Sequence, residues 1–371
     1  MKTLAAVASE REFEILPYFW TMTLHEPYMR RCLQLASLGA GNTAPNPMVG
    51  AVLVHDDVII GEGLHQQYGQ AHAEVNCINS VSEQNQHLIH KSTLYVSLEP
   101  CVHFGKTPPC ADLIIAKKIP RVVIGCKDNY EEVNGKGIEK LLAAGVEVIT
   151  GVLEKEAKDL NKRFFTFFQT KRPYVILKWA QTSDKIIGKA DKSRLFISNE
   201  FTNRMVHRWR SEEAAIMVGT YTAMHDNPSL TVRLVNGKNP VRIVIDNDLK
   251  LPSSLHLFDG AVPVIVFNNV KLETNGAVQY YKIDKGENDI EQMLQVLFQL
   301  KIQSVLVEGG ATLLQSFIAS GYWDEARIIT NTEMKVETGI KAPVLQNEIF
   351  ISEENIQADK ISYYRNAVKS L

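Results

Sequence analysis

Cysteine is scarce. The chain of 371 residues has five: Cys32, Cys77, Cys101, Cys110 and Cys126. So small and odd a set excludes a disulfide-framed scaffold, leaves thiolates free to bind metal, and suits a reducing, cytoplasmic setting. An excess of one charge is also missing. Forty Lys and Arg face 42 Asp and Glu, a net charge of −2, so there is no broad basic field to hold nucleic acid. Long apolar runs are absent too. The densest stretch, residues 48–54, is strand-sized, far short of the ~20 residues a membrane span needs. A short apolar run at residues 4–8 meets Glu10, Arg11 and Glu12 too early to be a secretory leader. These absences exclude membrane and nucleic-acid partners and favour small-molecule chemistry.

What is present is ordinary globular composition, 45% apolar and 22% charged. At ~150 residues per domain the length implies two domains. Residues 1–24 are expected to be a ragged N-terminal extension, with Met22 as an alternative start. Residues 25–170 and 171–371 are expected to be the two domains, divided at the polar Thr170-Lys171-Arg172-Pro173 seam. Apolar periodicity predicts helices over 27–37, 71–81, 109–118, 138–144 and 154–170 in the first. Strands fall between them at 48–54, 58–60, 92–98, 121–125 and 146–150. In the second half, helices are predicted at 200–212, 289–300 and 311–319. Strands are predicted at 174–178, 214–218, 241–245, 262–267, 304–307, 325–330 and 357–364. This alternation specifies α/β sheets covered on both faces.

The most informative residues are His72-Ala73-Glu74, Pro100-Cys101 and Cys110. A hydrolytic zinc centre needs three protein ligands and one open position, and an imidazole with two thiolates supplies them. Cys101 follows a strand and is expected to open a loop or a helix N-terminus, where free N–H groups favour thiolate. Glu74, two residues from His72, lies close enough to shuttle a proton without ligating. A structural zinc with His103 as fourth ligand, or a pair of unrelated core cysteines, are the alternatives. Cys32, Cys77 and Cys126 read as core. His55, His65, His87, His90 and His256 read as turn or surface residues. In the second half, Val307-Glu308-Gly309-Gly310-Ala311-Thr312 reads as strand, glycine turn and helix start, a phosphate cradle that lacks the G-x-G-x-x-G spacing.

Three strings carry a resemblance: Ala44-Pro45-Asn46-Pro47-Met48-Val49-Gly50, Ala71-His72-Ala73-Glu74-Val75, and Leu98-Glu99-Pro100-Cys101-Val102-His103-Phe104-Gly105-Lys106-Thr107-Pro108-Pro109-Cys110. They resemble the bifunctional riboflavin-biosynthesis deaminase/reductase family, as do Val218-Gly219-Thr220 and the run from Asp226 to Arg233. The resemblance implies a cytidine-deaminase-like α/β/α sandwich followed by a dihydrofolate-reductase-like α/β domain. It implies zinc-dependent deamination of a diaminopyrimidinone ribosylamino phosphate, then NADPH-dependent reduction of the ribosyl chain. His72, Cys101 and Cys110 are then the metal ligands, Glu74 is catalytic, and Asn46, His103 and Lys106 touch the pyrimidine substrate. In the second half, Ala180, Thr222, Asp226, Asn247, Gly310, Ala311 and Thr312 contact NADPH. Arg210, Leu230, Arg233 and Glu308 contact the ribosyl phosphate, the two arginines by bidentate phosphate binding. Self-association through the second domain is also implied.

The chain departs from the family pattern at several points. Val102 replaces a serine. Thr182-Ser183-Asp184-Lys185 stands for Ser-Leu-Asp-Gly, and the charged run 189–194 precedes Phe196 where a tryptophan is usual. If the backbone at 185 needs positive φ, lysine there costs about 1 kcal/mol. Two further readings follow: a protein whose reductase half is vestigial, and a polynucleotide deaminase with an accessory domain. The near-neutral charge offers the second no basic path for a strand.

Overall fold

The computed structural model describes residues 11–104, 108–128, 133–191, 193–286 and 288–368, with side chains from residue 24 onward. The chain divides into two compact units, Met1–Phe165 and Thr166–Leu371.

The first unit opens with helix α1 (Arg11–Ser37). The helix starts well before residue 27 and occupies part of the segment expected to be ragged. Its buried residues Met29, Cys32 and Ala36 recur at helical spacing. Strands β1 (Gly50–His55) and β2 (Val58–Leu64) form a hairpin. Helix α2 (Ala73–Asn79), strand β3 (Thr93–Leu98), helix α3 (Cys110–Ala116) and strand β4 (Arg121–Cys126) follow. Helix α4 (Lys136–Ala143), strand β5 (Glu147–Thr150) and helices α5 (Glu154–Leu160) and α6 (Lys162–Thr170) complete the series.

The sheet order is β2-β1-β3-β4-β5, antiparallel around β1 and parallel from β3 to β5. Successive residues of β1 face opposite layers, as the period of a strand requires. Ala51 and Leu53 pack with Cys77, Ile78, Ile114 and Leu141. Val52 and Val54 pack with Met29, Cys32 and Leu35. Burial of both faces explains the continuous apolar runs in the sequence. Close approach of α2 to β2 requires Gly63. A Cβ there would lie 2.2 Å from Cys77 N and 2.4 Å from Ala73 O.

The single helix expected at 154–170 is two. The break falls at Asn161, whose side chain bonds both backbone groups of Met48, accepting from its N–H and donating to its C=O, each at 2.8 Å. An amide engaged this way competes with helix continuation. It also pins the loop that carries Asn46.

The second unit begins with strands β6 (Tyr174–Thr182) and β7 (Ile186–Lys189), helix α7 (Glu200–Glu212), strand β8 (Ala215–Gly219) and helix α8 (Thr220–Asp226). Strands β9 (Val241–Ile245), β10 (Val264–Asn268), β11 (Glu273–Asn275) and β12 (Val278–Lys282) come next. Helix α9 (Asp289–Gln299), strand β13 (Ser304–Val307), helix α10 (Ala311–Ala319) and strand β14 (Glu325–Asn331) follow. Strands β15 (Gly339–Lys341), β16 (Glu348–Ile356) and β17 (Asp359–Asn366) close the chain.

Ten strands run in the order β11-β12-β10-β9-β8-β13-β6-β14-β17-β16. From β12 to β14 all neighbours are parallel, so their carboxyl ends share one edge of the sheet. Helices α9 and α10 cover one face through Met293, Leu294, Leu314 and Phe317. Helix α7 covers part of the other through Val206 and Trp209. Sequence periodicity predicts neither β16 nor α8. In β16 only the last residue is even half-buried, so no apolar alternation marks it, and its pairing with β17 is a backbone matter.

Lys185 sits at φ +62°, the left-handed region where glycine costs nothing and a Cβ is strained. Its N–H donates to Thr182 O and its C=O accepts from Ala342 N, both at 2.9 Å, so the turn is held despite the strain. Lys185→Gly is therefore expected to raise the unfolding free energy by about 1 kcal/mol. Denaturant titration checks this; no gain would mean that other contacts of the lysine offset the strain.

Candidate active sites

His72 is the residue before α2, in an extended conformation, with Glu74 in the first helical turn. Cys101 lies just past β3, and Cys110 opens α3. Of the two places expected for Cys101, the loop is the one observed, and the helix start is at Cys110, whose backbone N–H donates to Cys101 Sγ at 3.4 Å. His72 Nδ1 lies 3.5 Å from Cys101 Sγ and 3.4 Å from Cys110 Sγ. All three donor atoms fall within 4.8 Å of one another, the only such group of ligating side chains among the described residues. His103 is not part of it.

Tetrahedral zinc with Zn–S near 2.3 Å and Zn–N near 2.0 Å sets sulfur and nitrogen about 3.5 Å apart, so the residues fit the ion. The local electrostatics agree. Cys101 is held down to about 4, chiefly by the hydrogen bond from Cys110 and further by His72. Cys110 is pushed up, chiefly by the same bond and by burial. Burial raises Glu74 to about 7, with the nearby Cys101 sulfur adding to the effect. Glu74 is 3% exposed and its Oε2 has no hydrogen-bond partner among the described residues. That oxygen is available to a ligand.

Cys32, Cys77 and Cys126 are buried. His65 is a correction to the sequence reading: it is 2% exposed, not a surface residue. Its ring meets the His72 ring edge-on at 5.4 Å. Its Nε2 lies 3.1 Å from Asn46 Nδ2, which brings Asn46 to the centre. Period-based reading misses His65 because it follows β2 in a polar stretch. Val102 packs against the core instead of bonding. Lys106 lies outside the described residues.

In the second unit the carboxyl ends of the parallel strands line two cavities, of 470 Å³ and 580 Å³. Open α/β sheets bind ligands at this edge. The first holds Arg210, Leu230, Arg233 and Glu308 together with Ala180 and Asp226. The second holds Asn247, Gly310 and Thr312. Thr222 and Ala311 border both. The Gly310 N–H donates to Thr222 Oγ1 at 2.9 Å. Gly309 is required by close approach, since a Cβ there would come within 2.7 Å of Leu313 Cδ2 and 3.0 Å of Gly219 N.

Arg210 differs from expectation. Its Nε and Nη2 donate to the two oxygens of Glu308, each at 2.8 Å, so the fork expected to hold phosphate already holds a carboxylate. Lys178 Nζ stands 3.7 Å from Glu308 Oε2. Burial alone would raise Glu308, but Arg210 and Lys178 together outweigh it and bring it to about 2. Burial lowers Lys178. Sequence reading missed this lysine; the signal was a cation inside an otherwise apolar strand.

Arg233 keeps its guanidinium largely free, with one bond from Nη1 to Thr231 Oγ1 at 2.8 Å. Burial, Arg210 and Arg194 all lower Arg233. Arg194 comes from the charged run 189–194 and rests 4.8 Å above the ring of Phe196, which is 71% exposed. Lys189, Ser193 and Arg194 all line the first cavity.

Comparison with known proteins agrees with both centres. A family model for the cytidine and deoxycytidylate deaminase zinc-binding region matches residues 22–126. One for the RibD C-terminal domain matches residues 173–332. The riboflavin biosynthesis protein RibD of Aquifex aeolicus is 41% identical over 80% of this chain and 84% of its own length. That of Escherichia coli is 33% identical over 81% and 85%. A crystal structure of a diaminohydroxyphosphoribosylaminopyrimidine deaminase/5-amino-6-(5-phosphoribosylamino)uracil reductase from Thermotoga maritima superposes with a TM-score of 0.86 at 36% identity. It covers 93% of this chain and 99% of the other.

Fold and sites together define a two-domain enzyme, a zinc-binding deaminase joined to a reductase of the NADPH-binding type. The chain belongs to the RibD family of riboflavin biosynthesis proteins. The cytidine-deaminase-like and dihydrofolate-reductase-like folds are as the resemblance implied. No helix among the described residues is long and apolar enough to cross a membrane.

A three-ligand centre makes a direct prediction. Cys110→Ala is expected to lose stoichiometric zinc by elemental analysis, while His103→Ala retains it. Zinc loss in the His103 variant would make the site four-coordinate and structural.

Proposed function

We propose that the first unit hydrolytically deaminates 2,5-diamino-6-(5-phosphoribosylamino)pyrimidin-4(3H)-one and that the second reduces the ribosyl chain of the product to ribityl. The observation that carries this reading is Glu74, whose enclosed Oε2 lies beside a triad fit for zinc. His72, Cys101 and Cys110 would hold zinc, which when bound would lower the pKa of a water. Glu74 would take a proton from the attacking water and pass it to the departing amine. A C–O bond forms, the C–N bond breaks and ammonia leaves. Asn46, joined to the centre through His65, together with His103 and Lys106 is the proposed set that orients the ring and its phosphate.

In the second unit the 580 Å³ cavity, with Asn247 and the Gly310–Thr312 turn, suits the nucleotide portion of NADPH. Thr222, Ala180 and Asp226 then border its reducing end. NADPH supplies the hydride. Glu308 is ionised far below neutral pH, so it pairs with Arg210 and accepts hydrogen bonds; it does not donate the proton. Lys178 is the neighbouring group with a proton to give. Leu230, buried at φ +52°, forms an apolar wall. Arg233 and Arg194, neither held in a carboxylate fork among the described residues, suit the substrate phosphate better than Arg210 does.

The second unit is the proposed route of self-association, supported by the exposed Ile349, Phe350 and Ile351 on edge strand β16; a sedimentation mass of 41.7 kDa would exclude it. Two thiolate ligands suit a cytoplasmic setting.

The decisive experiment supplies the diaminopyrimidine phosphate with and without NADPH and reads product masses. Deamination adds about one mass unit and reduction about two more. Glu74→Gln is expected to keep zinc and lose the first step by a factor of about 10² or more. Normal turnover in that variant excludes Glu74 as the shuttle, and absence of the second mass step excludes a working reductase. For the phosphate, Arg194→Ala is expected to raise the reductase KM for substrate about tenfold and leave that for NADPH unchanged. An unchanged substrate KM would remove Arg194 from the phosphate site.

A further inference from the structure

His65 has no assigned part in the chemistry above, yet it is enclosed at the metal centre. Its two ring nitrogens have different neighbours. Nδ1 lies 3.1 Å from the C=O of Ala71, the residue before the ligand His72. A carbonyl only accepts, so Nδ1 carries the hydrogen. In a neutral ring Nε2 is then bare and needs a donor. The group facing it, at 3.1 Å, is the Asn46 side-chain amide, which must turn its NH2 toward His65. Asn46 Oδ1 consequently points away from His65, and among the described residues it accepts no hydrogen bond. The Asn46 backbone is fixed separately, its N–H donating to Thr43 O at 2.8 Å, and Asn161 holds Met48 two residues on.

We infer that His65 is a positioning residue that locks the Asn46 amide in one of its two orientations, so that the deaminase site offers an acceptor and selects a substrate with a hydrogen-bond donor on its ring edge. An amide free to flip would accept a donor or an acceptor edge alike. Locked by His65, it leaves an acceptor edge facing a second acceptor, an unmatched contact. Under the proposed function, on which this inference rests for its substrate, the donor is the N3–H beside the reacting carbon.

Two measurements test it. The first needs no substrate: nitrogen NMR of the zinc-loaded protein at neutral pH, with His65 assigned by its loss in His65→Phe. The expected state has hydrogen on Nδ1 and a bare Nε2. Hydrogen on Nε2 overturns the inference. The second compares inhibition by a 4-O-methyl analogue of the substrate, in which N3 carries no hydrogen and is an acceptor, with KM for the substrate itself. The native enzyme is expected to prefer the parent roughly tenfold or more, the worth of an unmatched hydrogen bond. In His65→Phe that ratio is expected to fall to within about threefold at unchanged zinc content, with His65→Gln, whose carbonyl can accept from Asn46, restoring most of it. A ratio that survives in His65→Phe overturns the inference. A native enzyme that does not deaminate the parent at all instead overturns the substrate assignment and leaves the NMR result to decide the role of His65. If His65→Phe fails to fold, the NMR readout on the native protein, assigned through His65→Gln, decides alone.

Discussion

Three donor atoms, His72 Nδ1 and the sulfurs of Cys101 and Cys110, converge to within 4.8 Å of one another, the spacing one tetrahedral cation needs. His72 Nδ1 is within 3.5 Å of both Cys101 and Cys110 sulfurs, and the rest of the first unit serves to keep them there. Helix α2 is pressed onto β2 through Gly63, which fixes where His72 and Glu74 emerge. The Cys110 N–H steadies the Cys101 sulfur. Each contact involves the backbone at short range, so the centre is preorganised before a ligand arrives.

The second unit solves a different problem with similar means. A parallel sheet brings the carboxyl ends of several strands to one edge, and the cavities lie there. Three charged side chains, Lys178, Arg210 and Glu308, share a buried floor and largely neutralise one another. Burying such a group is tolerable only because each charge has a partner. Arg194 and Arg233 have no ion pair within 4 Å among the described residues and line the same cavity. The charged run that departs from the family pattern therefore lies on the cavity wall, so the departure falls at the site itself.

Both units hold polar side chains where a backbone element has to stop or turn. Asn161 interrupts a helix to hold Met48. Asp184 accepts from Thr182 and from the N–H groups of Val336 and Glu337, which holds it down to about 2 and ties the turn at Lys185 to a distant segment. These contacts join residues far apart in the chain, which is why periodicity does not reveal them.

The amino-acid order alone determined the alternation of helices and strands and the residue types of the metal centre. Strands buried on both faces are written as apolar runs, and a ligand set is written as residue types at fixed spacing. Helix α7 and strands β9 and β13 fall where the pattern places them. Tertiary structure alone decided that His65 is enclosed beside His72, that Arg210 is already paired with Glu308, and that Lys178 joins them. It also decided that β16 is a strand. In each case the deciding partner is remote in the chain: 98 residues separate Arg210 from Glu308, and 19 separate Asn46 from His65. A hydrogen bond or ion pair between such residues leaves no period and no local preference, because its energy exists only once the intervening chain has folded.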